Sequence, residues 1–256
     1  MKYLIDNIRN RFDFFLRNRI TFSRKNYSEE PEDLRNIFTS EEQKVFYDNL
    51  KQKYDYNLLE DSTCRNFTAN LYFLNIFDKY LSKNNKNELK ILDVGSKNWA
   101  YVKSEYVFFK SFAKDFSLNG IELDAYRMYS NFYTRFEIAK FYTKDLLNTN
   151  YIAGDFMEHK GKYDYIIWIL PFITEYPLVK WGLPLKYFKP EEMLSRAYEL
   201  LNPNGELLII NQGEEEYKIQ QGLNKKLNIK AEYYNEIDDV FNIFKNKRYC
   251  SKIIKS

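Results

Sequence analysis

At 256 residues the chain is long for one domain and short for two, so one core domain with an extension is the expected plan. A core of this size buries roughly 70% of the surface its unfolded chain exposes and needs no staple. The 39 basic and 36 acidic residues leave a net charge of +3, too close to balance to argue for nucleic acid. The 18% aromatic content accompanies abundant Asn, Lys and Ile, as A/T-rich codon usage produces, and so gives a base-stacking surface little support.

Cys64 and Cys250 lie far apart without metal-ligand spacing, which fits reduced thiols in a cytoplasmic protein and argues against a zinc site. His159 is the only histidine, so a Ser–His–Asp triad or a His-based metal site would depend on it alone. No metal site is expected. No apolar run reaches the roughly 18 to 20 residues of a membrane span, and no signal peptide pattern is present.

Met1 to Lys25 carries Leu4, Ile8, Phe12, Phe15 and Leu16 at helical spacing, interleaved with Arg9, Arg11, Arg17 and Arg19. Three readings stay open for this basic amphipathic helix: packing on its own domain with its arginines in water, lying on an anionic membrane, or organelle targeting. Asp6 and Asp13 count against the last. Asn26 to Asp33 reads as a polar connector, with Ser28-Glu29-Glu30-Pro31 placed to start a second helix. Helical segments follow over about Ser40 to Leu50, opened by a capping box, and about Thr63 to Leu81. Residues 1–82 are thus expected to be a helical extension without a chemical motif, and residues 83–256 an α/β domain beginning after Lys83-Asn84-Asn85-Lys86-Asn87.

From there strands and helices alternate. Ile91 to Val94 is a buried strand running into the turn at Gly95, and a helix is expected from about Asn98 to Lys114. Leu118 to Glu122 is a second strand, followed by a long helix over about Ala125 to Leu147. Tyr151 to Asp155 is a third, and Tyr163 to Leu170 has the continuous apolar run of a central strand covered on both faces. A helix at Pro190 to Leu201 leads through Asn202-Pro203-Asn204-Gly205 to a strand at Glu206 to Asn211. A helix near Glu214 to Leu227 and strands near Ile229 to Tyr234 and Arg248 to Ile254 complete the pattern.

Three consecutive strands end in acids, Asp93, Glu122 and Asp155. Parallel strands would align these carboxylates along one rim of the sheet, where open α/β sheets hold ligands. With Asp93-Val94-Gly95, Glu122 within GIELD, Asp155 within AGDF and Leu200-Leu201-Asn202-Pro203-Asn204-Gly205, the chain resembles the class I S-adenosylmethionine-dependent methyltransferases over about Leu89 to Ser256. The resemblance implies a Rossmann-like α/β sheet, mostly parallel with the last strand antiparallel. It also implies S-adenosyl-L-methionine as cofactor. Its contacts would come from Asp93, Val94, Gly95, Ser96 and Trp99 at the first turn, Glu122 and Leu123 for the ribose, Asp155 and Phe156 for the adenine, and Trp168 on the fourth strand. A dinucleotide would prefer a full G-x-G-x-x-G turn, and only Gly95 is present here. Lys97 and Trp99 stand where the family usually keeps small residues.

Substrate groups in that family follow the fourth strand, and Asn/Asp-Pro-Pro-Tyr is absent from Ile169-Leu170-Pro171-Phe172. Glu175 and then Tyr176 are the candidates for a catalytic base, with an exposed loop carboxylate the bland alternative for Glu175. Phe172 to Pro190 is long for a strand-to-helix connection, and forms either a lid or packing for the N-terminal helices. Glu214 to Glu216 serve as a macrodipole complement or as receivers of a cationic substrate. The expected function is methyl transfer to a small or medium-sized acceptor. The rivals are a non-catalytic scaffold and an RNA-directed methyltransferase.

Overall fold

The apolar runs assemble into one sheet. Strands β1 (Glu88–Val94), β2 (Asp115–Glu122), β3 (Thr149–Ala153), β4 (Tyr163–Ile169), β5 (Leu201–Gln212), β6 (Ala231–Glu236) and β7 (Arg248–Ile254) lie in the order β3-β2-β1-β4-β5-β7-β6. Neighbours from β3 to β5 are parallel, and β7 runs antiparallel to both β5 and β6. The structure is a computed structural model and describes residues 3–20, 26–55, 57–84, 86–241 and 244–256. Its helices are α1 (Leu4–Arg17), α2 (Glu41–Lys53), α3 (Asn57–Glu60), α4 (Cys64–Tyr80), α5 (Val102–Lys110), α6 (Arg135–Thr143), α7 (Glu175–Lys180), α8 (Pro190–Leu200) and α9 (Gly213–Lys226).

β4 is central because Tyr165, Ile166, Ile167 and Trp168 are all buried, with β1 on one side and β5 on the other. Helices α5, α6 and α8 make the crossovers that parallel strands require. The chain reverses its direction of travel across the sheet between β1 and β4, which opens a crevice at their carboxyl ends.

The N-terminal helices share this core. Leu50, Phe67, Leu71 and Phe77 cluster with Ile91, Phe108, Leu118 and Tyr165. Ser40 caps α2 by accepting the Gln43 N–H, and Thr63 caps α4 through the Asn66 N–H. No helix begins at Pro31; residues 26–34 are irregular and helix resumes at Glu41. The end of the expected N-terminal helix, residues 21–25, lies outside the described residues.

Two expected helices are shorter than their periodicity suggests. The first is only Val102–Lys110, because Lys97 and Trp99 hold φ of 57° and 49° and break the helical path before it. The long helix after β2 is replaced by a loop and the nine-residue α6. Thr134 and Glu137 form a capping box, and Met128 and Thr134 close the loop in an antiparallel bridge. The turn Asn202 to Gly205 is absorbed into β5 as an irregularity, with Asn204 at φ 61°.

Candidate functional site

The turn after β1 is the centre of the rim. Gly95 has φ +73° and donates its N–H to the Ile121 carbonyl at 2.8 Å, tying the turn to β2. The Lys97 N–H then donates to Glu122 Oε2 at 2.9 Å. The bulk of Trp99 is directed away from the rim into the core, where it is fully buried and donates its indole N–H to Glu105 Oε2 at 2.9 Å. The absence of a side chain at Gly120 makes this possible. A Cβ there would stand 2.9 Å from Trp99 Cδ2 and Cε2 and from Ser96 Oγ.

Beneath the turn lies a buried carboxyl pair. Tyr101 OH donates to Asp93 Oδ2 at 2.9 Å, while Asp93 Oδ1 and Glu105 Oε1 have no donor of their own. Burial pushes the Asp93 carboxyl up to about 6, and burial together with Asp93 raises that of Glu105 well above the usual carboxylate range. One proton held between the two would supply the missing donor.

A cavity of about 1090 Å³ opens at the carboxyl ends of β1 to β4. Val94, Gly95, Lys97, Glu122, Leu123, Asp155, Phe156 and Trp168 line its sheet side. Pro171 and Phe172 follow β4 into its wall, and Pro177, Leu178, Trp181, Leu183 and Tyr187 close it from the connection to α8. Arg65, Asn66 and Phe73 reach it from α4. The segment Phe172 to Pro190 thus combines both expected roles: it covers the cavity on one side and receives α1 on the other. Leu178, Val179 and Leu183 pack with Tyr3 and Phe14.

Charges at the rim are arranged in a chain. Glu122 Oε1 accepts the Asp124 N–H at 2.8 Å and Arg135 Nη1 at 3.2 Å. Arg135 also stands 3.7 Å from Asp124, whose other oxygen accepts from Arg17 Nε of α1 at 2.5 Å. Burial works against the Arg135 charge, but Glu122 and Asp124 hold its guanidinium above the ordinary value. Lys97 is pushed down by burial and by Arg135 and Arg65; its ammonium lies 5.0 Å from the Trp181 ring centroid. Among the described residues no carboxylate pairs with it.

Of the residues anticipated for the cofactor, Val94, Gly95, Glu122, Leu123, Asp155, Phe156 and Trp168 come together on the cavity wall. Asp93, Ser96 and Trp99 lie fully buried behind it. Asp155 caps the short 3-10 turn Phe156–Glu158 by accepting the Met157 N–H at 2.9 Å. Glu175 and Tyr176, expected as a base, are exposed in the first turn of α7 and outside the cavity lining. Tyr176 is turned toward the start of α1, its ring centroid 6.5 Å from that of Tyr3, and Glu175 lies in solvent. His159 pairs with Tyr163 OH at 2.6 Å, apart from the cavity.

Sequence reading missed Arg135, Asp124 and the α4 residues, and placed Trp181 only as part of the Phe172 to Pro190 connection. Arg135 had a signal: the pattern Thr134-Arg135-Phe136-Glu137 is a capping box, which puts Arg135 in a first helical turn rather than mid-helix. Among the described residues no group of His, Cys, Asp and Glu suits a metal ion.

No family model and no curated protein matches the chain. Solved structures do. A protein provisionally described as an S-adenosylmethionine-dependent methyltransferase from Methanococcus maripaludis matches with TM-score 0.50 and 13% identity, over 90% of this chain and 97% of that one. Magnesium protoporphyrin IX methyltransferase from Synechocystis PCC 6803, with bound S-adenosylmethionine, gives 0.48 and 12% over 99% and 98%. A methyltransferase from Pyrococcus furiosus gives 0.49 and 16% over 74% and 83%. Identities this low carry the fold alone. The strand order and the first of these matches define it as the class I S-adenosylmethionine-dependent methyltransferase fold.

Proposed function

We propose that the protein transfers a methyl group from S-adenosylmethionine to a small or medium-sized acceptor. The observation that carries this reading is the cavity floor, which takes Gly95, Glu122 and Asp155 from the ends of three adjacent parallel strands. The residues present fit the cofactor. No heavy atom lies within 4 Å of where a Cβ on Gly95 would stand, so the turn is open to a ligand. A carboxylate has about four acceptor positions, and at Glu122 three N–H groups take three of them. One position remains for a ribose hydroxyl, and movement of Arg135 would free a second. Asp155 would accept from the adenine amine, and Lys97 would pair with the carboxylate of the methionine end.

Bound there, S-adenosylmethionine would supply an electrophilic methyl for direct displacement. The chain's part is then to hold the acceptor in line, which contributes roughly 7 to 11 kcal/mol in favourable cases. Phe73, Trp168, Phe172 and Phe244 line the cavity and suit an acceptor with an apolar, planar part.

Calorimetric titration with S-adenosylmethionine, S-adenosylhomocysteine and NAD tests the reading. Micromolar binding of the first two and none of NAD is expected. Glu122→Ala and Asp155→Ala should each weaken binding by about tenfold to a hundredfold, as loss of a hydrogen bond to a charged group does. Binding of NAD instead would overturn the proposal. The Arg135–Glu122 pair, which already occupies the ribose acid, favours a second reading as a non-catalytic scaffold. Binding of no cofactor would select it.

A further inference from the structure

Helix α1 faces the wrong way for an ordinary surface helix. Its contacts with the body come from its more polar side, with Phe14 and the preceding Tyr3 the aromatic members of that side. Asn10 is buried and donates to the carbonyls of Val179 and Leu183 at 2.9 and 3.1 Å, and Asn7 Oδ1 accepts the Leu185 N–H at 2.8 Å. Arg17 donates to Asp124 and to the Gly182 carbonyl. At about 100° per residue these positions share one face with Tyr3 and Phe14.

The opposite face carries Leu4, Ile5, Ile8, Phe12 and Phe15, all exposed, with Ile5 at 82% and Phe12 at 63%. The same geometry puts Arg11 on one border of this stripe and Arg9 on the other, both exposed, while Arg19 follows the helix end. Asp6 and Asp13 fall beyond Arg9, toward the body, and Asp6 pairs with Arg9.

We propose that this face docks on an anionic lipid bilayer, with the helix in the interface plane, its apolar stripe among the acyl chains and its arginines on headgroup phosphates. Arginines bordering an apolar stripe are what such a surface requires, since their stems lie along the hydrocarbon while the guanidinium groups reach phosphate. Docking of a second copy through the same stripe would bring Arg9, Arg11 and Arg19 against their own like charges. Because α1 holds the Val179 and Leu183 carbonyls, docking sets the covering side of the cavity at the membrane surface. The proposal stands apart from the methyltransferase reading, because its test involves no cofactor.

The test is flotation of the full chain with phosphatidylcholine vesicles, with and without about 30% phosphatidylglycerol. Binding to the anionic vesicles at about 0.1 M salt, weakened at about 0.5 M, and none to neutral ones is expected. The double variant Ile8→Ser/Phe12→Ser should lose about a hundredfold in partitioning, and Arg9→Glu/Arg11→Glu/Arg19→Glu should abolish flotation. All five side chains are exposed, and an unchanged urea midpoint confirms that the variants are folded. Failure of the folded wild-type chain to float with anionic vesicles at low salt overturns the proposal. So does undiminished binding by Ile8→Ser/Phe12→Ser, or a concentration-dependent dimer that this variant abolishes.

Discussion

Gly120→Ala tests the packing that underlies the candidate site. In a β-strand without positive φ, Gly→Ala ordinarily stabilises by about 0.4 to 1 kcal/mol through the unfolded chain. Here the new Cβ would lie 2.9 Å from two fused-ring atoms of Trp99 and from Ser96 Oγ. Neither neighbour has room to move aside. Both are fully buried, and the indole is further held by its hydrogen bond to Glu105. Overpacking of this kind costs about 1 to 3 kcal/mol, and the rigid, buried neighbours put Gly120→Ala at the upper end. The net expectation is a loss of about 2 kcal/mol, or about 4 to 8 °C in Tm for a chain of this size. Urea denaturation of four proteins measures it: wild type, Gly120→Ala, Trp99→Leu and the double variant. Once Trp99→Leu has removed the ring contacts, only the Ser96 Oγ contact remains, so Gly120→Ala should cost about 1 kcal/mol or less, a coupling of about 1 to 2 kcal/mol. If Gly120→Ala is as stable as wild type, or the coupling is near zero, the account of how this turn accommodates Trp99 is wrong.

Three further outcomes are expected. Arg17→Ala should destabilise the chain by about 2 kcal/mol and raise protease cleavage within residues 172–188, because it leaves a buried Asp124 oxygen without its closest partner. Asp93 is raised by burial from 3.8 to about 6, so between these values the native state binds more protons than the unfolded chain and stability falls as pH rises. Glu105 is raised well above the usual carboxylate range as well and extends this fall to higher pH, so Glu105→Gln, which has no proton to lose, should flatten that part of the slope. Its Tm relative to wild type should therefore increase from about pH 4 to about pH 8; a constant difference would refute the shared proton. Glu175→Ala should leave S-adenosylmethionine affinity, read by calorimetry, within about twofold of wild type, as expected for an exposed surface substitution. A tenfold loss would return Glu175 to the site.

Much of the α/β domain was legible because its signals are local. A buried strand is an apolar run wherever it stands, so β4 and β7 emerge from Tyr163 to Leu170 and Arg248 to Ile254 within a residue. Glu122 and Asp155 follow, since a residue at a strand end needs only its own strand to place it, whereas Asp93 is buried behind the cavity wall. Helix limits were less legible after β1 and β2. There Trp99 takes a positive φ and the Thr134 capping box begins a new turn, and both interrupt a periodicity that continues through them.

The remainder depended on residues distant in sequence. Trp99 is a core residue because Gly120, on the neighbouring strand, has no side chain. Arg135 reaches Glu122 only through the loop that precedes α6. The amphipathicity of α1 is plain in its sequence, but periodicity leaves open which face meets the body. Asn7, Asn10 and Arg17 take that role because the connection after β4 presents backbone groups that need polar partners. The apolar face is left outward by that requirement, and no one-dimensional pattern contains it.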